Sequence, residues 1–262
     1  MKKKRWICFV AAAVAAAMTA CGSGEKAADV KETPQTEAAK KEAAKPETTE
    51  AETAREETTK EETTEEETAK AQEETEGKSS GFQTGTWDGL TFTNPWLGIS
   101  ITMPEGSYVF TEEDMEAVLG AGKEVMINNG TYTDTQMEMA DALTIYDFMA
   151  SLPDGQSSVQ LACENTTVTT MGKGISEEEY LDAVSAQLLT IADMQYEFGE
   201  KEEVELGGKK FVKLSGKLMG GAMYQDYYCI SLDKRMAVMT VSYVPEGQAD
   251  VEELIAGITA AP

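Results

Sequence analysis

Between residues 22 and 80 the chain has no aromatic residue, no leucine, no isoleucine and no methionine. In their place stand 18 acidic and 9 basic residues, 11 threonines and many alanines. Such a segment cannot bury enough apolar surface to offset the entropy of ordering its backbone, so it is not expected to fold by itself. A core must therefore come from residues 81–262, a stretch long enough for one domain of ordinary size. That stretch carries 29 acidic and 9 basic residues, a net charge of −20. Charge of this sign argues against nucleic acid and anionic membrane surfaces as partners. It leaves three readings: solubility on a crowded cell surface, a basic partner, or divalent cations.

The N-terminus has a basic head, Lys2, Lys3, Lys4 and Arg5, followed by an uncharged run from Trp6 to Ala20. That run has 15 residues, short of the roughly 20 a transmembrane helix needs, and its charge and length are those of a secretion signal. The run ends in Met18-Thr19-Ala20-Cys21, which resembles the lipobox of bacterial lipoproteins, with Met18 where leucine is usual. The resemblance implies cleavage after Ala20 and a diacylglyceryl thioether on Cys21, which would hold the protein on the outer face of the cytoplasmic membrane. Cys8 would leave with the signal. The expected organisation is a signal over residues 1–20, a lipidated cysteine and disordered linker over 21–80, and a folded domain over 81–262. Within the linker, EAAKKEAAK is similar to helical spacer sequence, whereas the Thr-Glu repeats after it are poor helix formers. Its 59 residues reach at most roughly 200 Å when extended and average about 45 Å as a coil. The spacer reading stands beside two others, in which the tail binds something basic or carries glycans on its threonines.

In the domain, residues 87–92 read as a short strand broken by Asn94-Pro95. A second strand follows over 97–103, where Leu97, Ile99, Ile101 and Met103 alternate with glycine or hydroxyl residues. Thr111 and the acidic residues after it open a helix with Met115, Val118, Leu119 and Met126 on one face. Residues 131–142 read as a loop with one helical turn. Residues 143–152 and 158–164 flank Pro153-Asp154-Gly155-Gln156 as a hairpin. Ser176-x-x-Glu179 is a capping-box signature ahead of the apolar stripe Tyr180, Leu181, Val184, Leu188 and Ile191. Strands are expected over 195–206 and 209–218 around Gly207-Gly208, and over 223–232 and 236–244 around Asp233-Lys234-Arg235. Val251, Leu254, Ile255 and Ile258 mark a closing helix. Neighbouring strands joined by tight turns predict an antiparallel sheet with helices packed on it, an α+β fold.

The run Asn94-Pro95-Trp96-Leu97-Gly98-Ile99-Ser100-Ile101-Thr102-Met103-Pro104-Glu105-Gly106 resembles the opening of domains with the PsbP/Mog1/DcrB-like fold, although Ser107 stands where an aromatic often follows. The later order is similar too: Ser-x-x-Glu before a long helix, a Gly-Gly hairpin, then a strand with Tyr224, Tyr227 and Tyr228. The layout is also similar to clostridial surface lipoproteins of unknown function. The resemblance implies a non-enzymatic module that assists membrane complexes or binds other proteins, and it supplies no catalytic residue.

The chain has no histidine, which removes Ser-His and Cys-His nucleophiles, the HExxH zinc site and the commonest metal ligand. No P-loop and no G-x-G-x-x-G after a strand occurs. No catalytic, cofactor-binding or metal-ligating residue is assigned, and no cofactor is expected. Two acidic clusters, Glu177-Glu178-Glu179 and residues 200–205, read as solvated surfaces, since neither has the D-x-[DN]-x-[DN]-G loop that positions calcium ligands. Cys163 and Cys229 leave a disulfide open, but strand alternation opposes it: Cys163 shares a face with Val159 and Leu161, whereas Cys229 lies opposite Tyr228 and Ile230. Met137, Met139, Met236 and Met239 read as core or contact-surface filler. Asn165-Thr166-Thr167 matches the glycosylation pattern, discounted in a bacterial lipoprotein. The tyrosine-rich strand, with Trp87 and Trp96, reads as core packing or as a contact surface. The expected function is a membrane-anchored extracytoplasmic module that binds a protein or cell-wall partner without catalysis. The other reading is a lipoprotein that binds a small ligand or divalent cation and is associated with transport.

Overall fold

A two-residue turn organises the folded part. Asp233 and Lys234 both adopt positive φ, 46° and 64°, the mirror-image turn whose twist matches that of the strands it joins. They connect β10 (Met223–Leu232) to β11 (Arg235–Tyr243), which pair antiparallel along their length. The structure is a computed structural model and describes residues 81–128, 130 and 132–262; the signal, Cys21 and the linker lie outside the described residues.

Around this hairpin lies an eight-stranded sheet in which every pairing is antiparallel. On one side β11 pairs with β6 (Ser158–Asn165), then β5 (Thr144–Ser151), then β4 (Tyr108–Val109). On the other, β10 pairs with β9 (Lys209–Leu218), whose outer edge is shared by β7 (Glu197–Phe198) and β8 (Glu202–Leu206). The single strand expected over 195–206 is thus two, interrupted where Gly199, Glu200 and Lys201 leave the ladder. The β8–β9 turn is the expected Gly207-Gly208, at φ 56° and 74°.

A second sheet has the order β1 (Thr86–Asp88), β2 (Thr91–Asn94), β3 (Ile99–Thr102), β12 (Ile258–Ala260). Here two expectations are corrected. Residues 87–92 are not one strand but the two arms of a hairpin, which turns at Gly89 with φ 59°. Ile258 is not helical: it begins β12. The closing helix stops at Ala256, and at Gly257 the chain passes so close to β3 that a Cβ there would sit 2.5 Å from the Thr102 carbonyl oxygen.

The large sheet is covered on both faces. On the first, α4 (Glu177–Leu188) buries Tyr180, Leu181, Val184 and Leu188 against Leu214, Tyr227, Cys229, Met236 and Val238, and each such side chain contributes roughly 1.5–3 kcal/mol. Its start is the expected capping box, with Ser176 and Glu179 each bonding the other's backbone N–H. The helices α1 (Glu112–Asn128) and α2 (Asp134–Leu143) add Met126 and Met137 to this layer. The loop expected over 131–142 is in fact mostly the ten-residue α2, with a second capping box from Thr133 to Gln136. A short helix, α3 (Thr166–Thr169), follows β6, and the Asn165 side chain caps it by accepting from the Thr167 N–H at 3.1 Å. On the second face, the small sheet and α5 (Gln248–Ala256) pack Phe92, Leu97, Ile99, Ile101, Val251 and Leu254 onto Phe148, Leu161, Phe211, Tyr228 and Met239.

Asn94 links the two sheets. Its Oδ1 accepts the Leu97 N–H at 2.7 Å, and its Nδ2 donates to the Asp147 carboxylate at 2.6 Å. Asp147 sits in a bulge of β5 between Tyr146 and Phe148, and also accepts the Gly85 N–H at 2.9 Å. Burial raises the Asp147 pKa, and these two donors work against that rise.

Candidate functional site

Cys21 and Ala20 lie outside the described residues. Cys163 and Cys229 are free thiols, both buried, and belong to the cores on opposite faces of the large sheet. Alternation had placed them apart, and a bond through the sheet is geometrically excluded. Burial pushes both thiols up in pKa, so neither has the thiolate character that reactive cysteines need.

The acidic clusters act locally. Glu179 completes the α4 cap, and the Glu177 carboxylate accepts the Ser231 N–H at 2.9 Å. Along β8, Glu203 pairs with Lys210 and Glu202 with Lys213. Among the described residues no group of three or more thiols or carboxylates is arranged to hold a metal ion. Met137, Met236 and Met239 are buried, and Met139 is exposed. Trp87 packs on Phe92 and Phe148, with ring centroids 5.1 and 5.3 Å apart. Trp96 donates its indole N–H to Asp233 and meets the Phe82 ring edge-on.

The tyrosine-rich strand divides between the two readings. Tyr227 and Tyr228 are core residues on opposite faces, whereas Tyr224 is partly exposed and stacks on Tyr243 at 5.5 Å. The register then assembles a cluster on the second face, at the end remote from the Asp233-Lys234 turn. Tyr224 lies across from Lys217 and Tyr243, and Tyr228 across from Lys213. Asp226 stands between the two tyrosines of β10 on that face, and its carboxylate is 3.4 Å from the Lys213 ammonium, which also approaches Glu202 at 3.3 Å. Lys213 lies 5.6 Å from the centre of the Tyr228 ring, within cation–π range. Lys217 reaches Glu197 at 3.3 Å, with Glu197 exposed and Lys217 half-buried. Burial, then the Asp226 charge, raises the Tyr228 hydroxyl pKa; the same causes in the same order bring Tyr243 to about 12. Both tyrosines therefore keep their protons at neutral pH and can donate hydrogen bonds.

This arrangement offers a stacked aromatic pair, two ammonium groups and three carboxylates in one place. It has the composition of a recognition surface, with no nucleophile–base pair within it. Of its members, Tyr224 and Tyr228 stand in the strand the sequence singled out. Lys213, Lys217, Asp226 and Tyr243 were missed, although the alternation Lys209, Phe211, Lys213, Ser215, Lys217 along β9 already puts three lysines on one face.

No protein-family model matches the chain, and no curated protein matches it. Among solved structures it is similar to cyanobacterial PsbP (CyanoP) from Synechocystis sp. PCC 6803, at 10 % identity and a TM-score of 0.39, over 69 % of this chain and 95 % of that one. It is also similar to LpqN, involved in cell envelope biogenesis of Mycobacterium tuberculosis, at 11 % identity and a TM-score of 0.35, over 63 % of this chain and 83 % of that one.

Proposed function

We propose that this chain is a lipid-anchored extracytoplasmic binding module, which uses its folded domain to hold a protein or cell-wall partner and performs no catalysis. The reading is supported at the N-terminus by Met18-Thr19-Ala20-Cys21, and in the domain by the Tyr224–Tyr243 stack flanked by Lys213, Lys217 and Asp226. The surface carries the argument: tyrosines give large, rigid contact area at low entropic cost, and flanking charges of both signs set orientation. The spacer would let that surface reach a partner well clear of the lipid headgroups.

Cross-linking of the anchored protein on intact cells, followed by identification of the attached peptides, tests both halves. One dominant partner is expected, captured through peptides near Lys213 and Lys217. Joint replacement of Tyr224 and Tyr243 by alanine should weaken its binding by about 30-fold, the loss of roughly 2 kcal/mol typical of an interface anchor. A partner retained undiminished by that variant would place the contact elsewhere. Cys21→Ala should send the protein into the medium, and a variant that stays with the membrane would overturn the lipid anchor.

A further inference from the structure

Among the described residues, seven buried side-chain N or O atoms have no hydrogen-bond partner, and five of them lie on the first face of the large sheet. They are both amide atoms of Gln160, the Thr240 hydroxyl, one oxygen of Glu164 and the Thr144 hydroxyl. The register groups them in two. Gln160 stands directly across from Thr240 on β6 and β11, and Glu164 across from Thr144 on β6 and β5. Four residues along β6 separate the pairs by about 13 Å, with the small Ala162 between them.

The Gln160–Thr240 pair is the more informative. Gln160 is 2 % exposed and Thr240 1 %, and an unpartnered buried amide or hydroxyl costs about 1–3 kcal/mol. The fold is able to satisfy a glutamine on this face. Gln225, two strands away, accepts from the Tyr196 and Tyr227 hydroxyls at 2.9 and 2.6 Å and donates to Ser242 at 2.8 Å. Gln160 has no such arrangement. The rows beside it are uncharged: Met149 and Tyr227 in its own row, Ser158, Ser242 and Gln225 on one side, Tyr146, Ala162 and Val238 on the other. The helix layer on this face is loosest in α1. Its Met115, Val118 and Leu119 are only half-buried and belong to neither core, and Gly120 and Gly122 interrupt its middle.

We propose that Gln160 and Thr240 form the floor of an internal binding site on the first face of the large sheet, for a small uncharged molecule that presents a hydrogen-bond donor beside an acceptor, as an acetamide group or a vicinal diol does. The Gln160 carboxamide matches such a group donor to acceptor, and Thr240 supplies a further hydroxyl. An ion is disfavoured, because the adjoining rows offer no opposite charge to replace its hydration. This site is on the other face of the sheet from the tyrosine–lysine surface and is independent of it.

Calorimetric titration of the full chain tests the site with four probes: N-acetylglucosamine, which carries both groups, glucose, acetamide, and acetate as the anion. At least one uncharged probe should bind with Kd below about 10 mM, and acetate should not. Gln160→Leu and the near-isosteric Thr240→Val should each weaken that binding about tenfold or more, while the unliganded melting temperature holds or rises. The proposal fails if no uncharged probe binds or if acetate binds as well. It fails equally if binding survives both substitutions, or if the unliganded Gln160→Leu protein melts several degrees lower, which would show that the amide serves the fold itself.

Discussion

Glu164 ends the first-face row of β6 as a carboxyl group with one hydrogen bond, from the Tyr180 hydroxyl at 2.7 Å, and no counter-charge. The titratable groups facing it are Tyr146 from β5, Tyr180 from α4 and Cys229 from β10, all with pKa values raised by burial and none cationic. Burial lifts Glu164 from 4.5 to about 7, against the pull of the Tyr180 bond. A carboxyl whose folded pKa exceeds its unfolded one favours the fold while protonated. Its contribution is therefore complete below pH about 4.5 and lost as pH rises through about 7, a change on the order of 3 kcal/mol. Urea midpoints across pH 4.5–8 should fall for the native chain and stay level for Glu164→Gln apart from shared background. Parallel profiles for the two would mean that Glu164 ionises without cost to the fold.

At the scale of elements, glycines separate positions of different physical kind. The β8–β9 turn uses Gly207 and Gly208, both at positive φ, but only Gly207 is pressed against a neighbour: a Cβ there would meet the Thr259 carbonyl oxygen of β12 at 2.6 Å, while Gly208 has nothing within 4 Å. Gly207→Ala should cost about 2–3 kcal/mol from strain and steric conflict, whereas Gly208→Asn should cost under about 1 kcal/mol, since asparagine tolerates this conformation. Equal denaturant midpoints for the two variants would show that the turn does not bear on β12. In α1, Gly120 has open space at its Cβ position and an ordinary helical φ. Gly120→Ala should thus stabilise the chain by about 0.5–1 kcal/mol; a lower midpoint would mean that α1 packs more closely there than the half-buried Met115, Val118 and Leu119 imply.

For the molecule as a whole, two covered faces explain why both cysteines are buried although they point in opposite directions. A chain processed as proposed, without Cys8 and with Cys21 acylated, should titrate as two free thiols once denatured, with and without reductant, and as none in the native state. A single bond protecting both from reagent in the denatured, unreduced protein would contradict the two-faced sheet. The same two-faced burial accounts for β6 and β11, whose interior positions are buried almost without break. In β6 the sequence nonetheless alternates, with Val159, Leu161 and Cys163 on the second face and Ser158, Gln160 and Glu164 on the first, so alternation there does not mark a side that faces water.

Local chemistry carried much of the architecture. The capping box at Ser176, the stripe from Tyr180 to Leu188, the Gly207-Gly208 turn and the hairpin at Asp233 each follow from residues within one turn or one helix, which is why they could be read from the chain alone. The N-x-x-L-G stretch was visible as a motif, but its role needed Asp147, 53 residues away, to become a junction between sheets. The second sheet, the transfer of Ile258 from helix to strand, and the split of the 195–206 segment were decided by pairing partners distant in sequence. So were both candidate sites: Tyr224 meets Tyr243, Lys213 meets Asp226 and Gln160 meets Thr240 only across strand registers. Composition and periodicity act over a few residues and set which elements form. Long-range strand pairing, driven by burial of both faces of one sheet, sets which side chains share a surface.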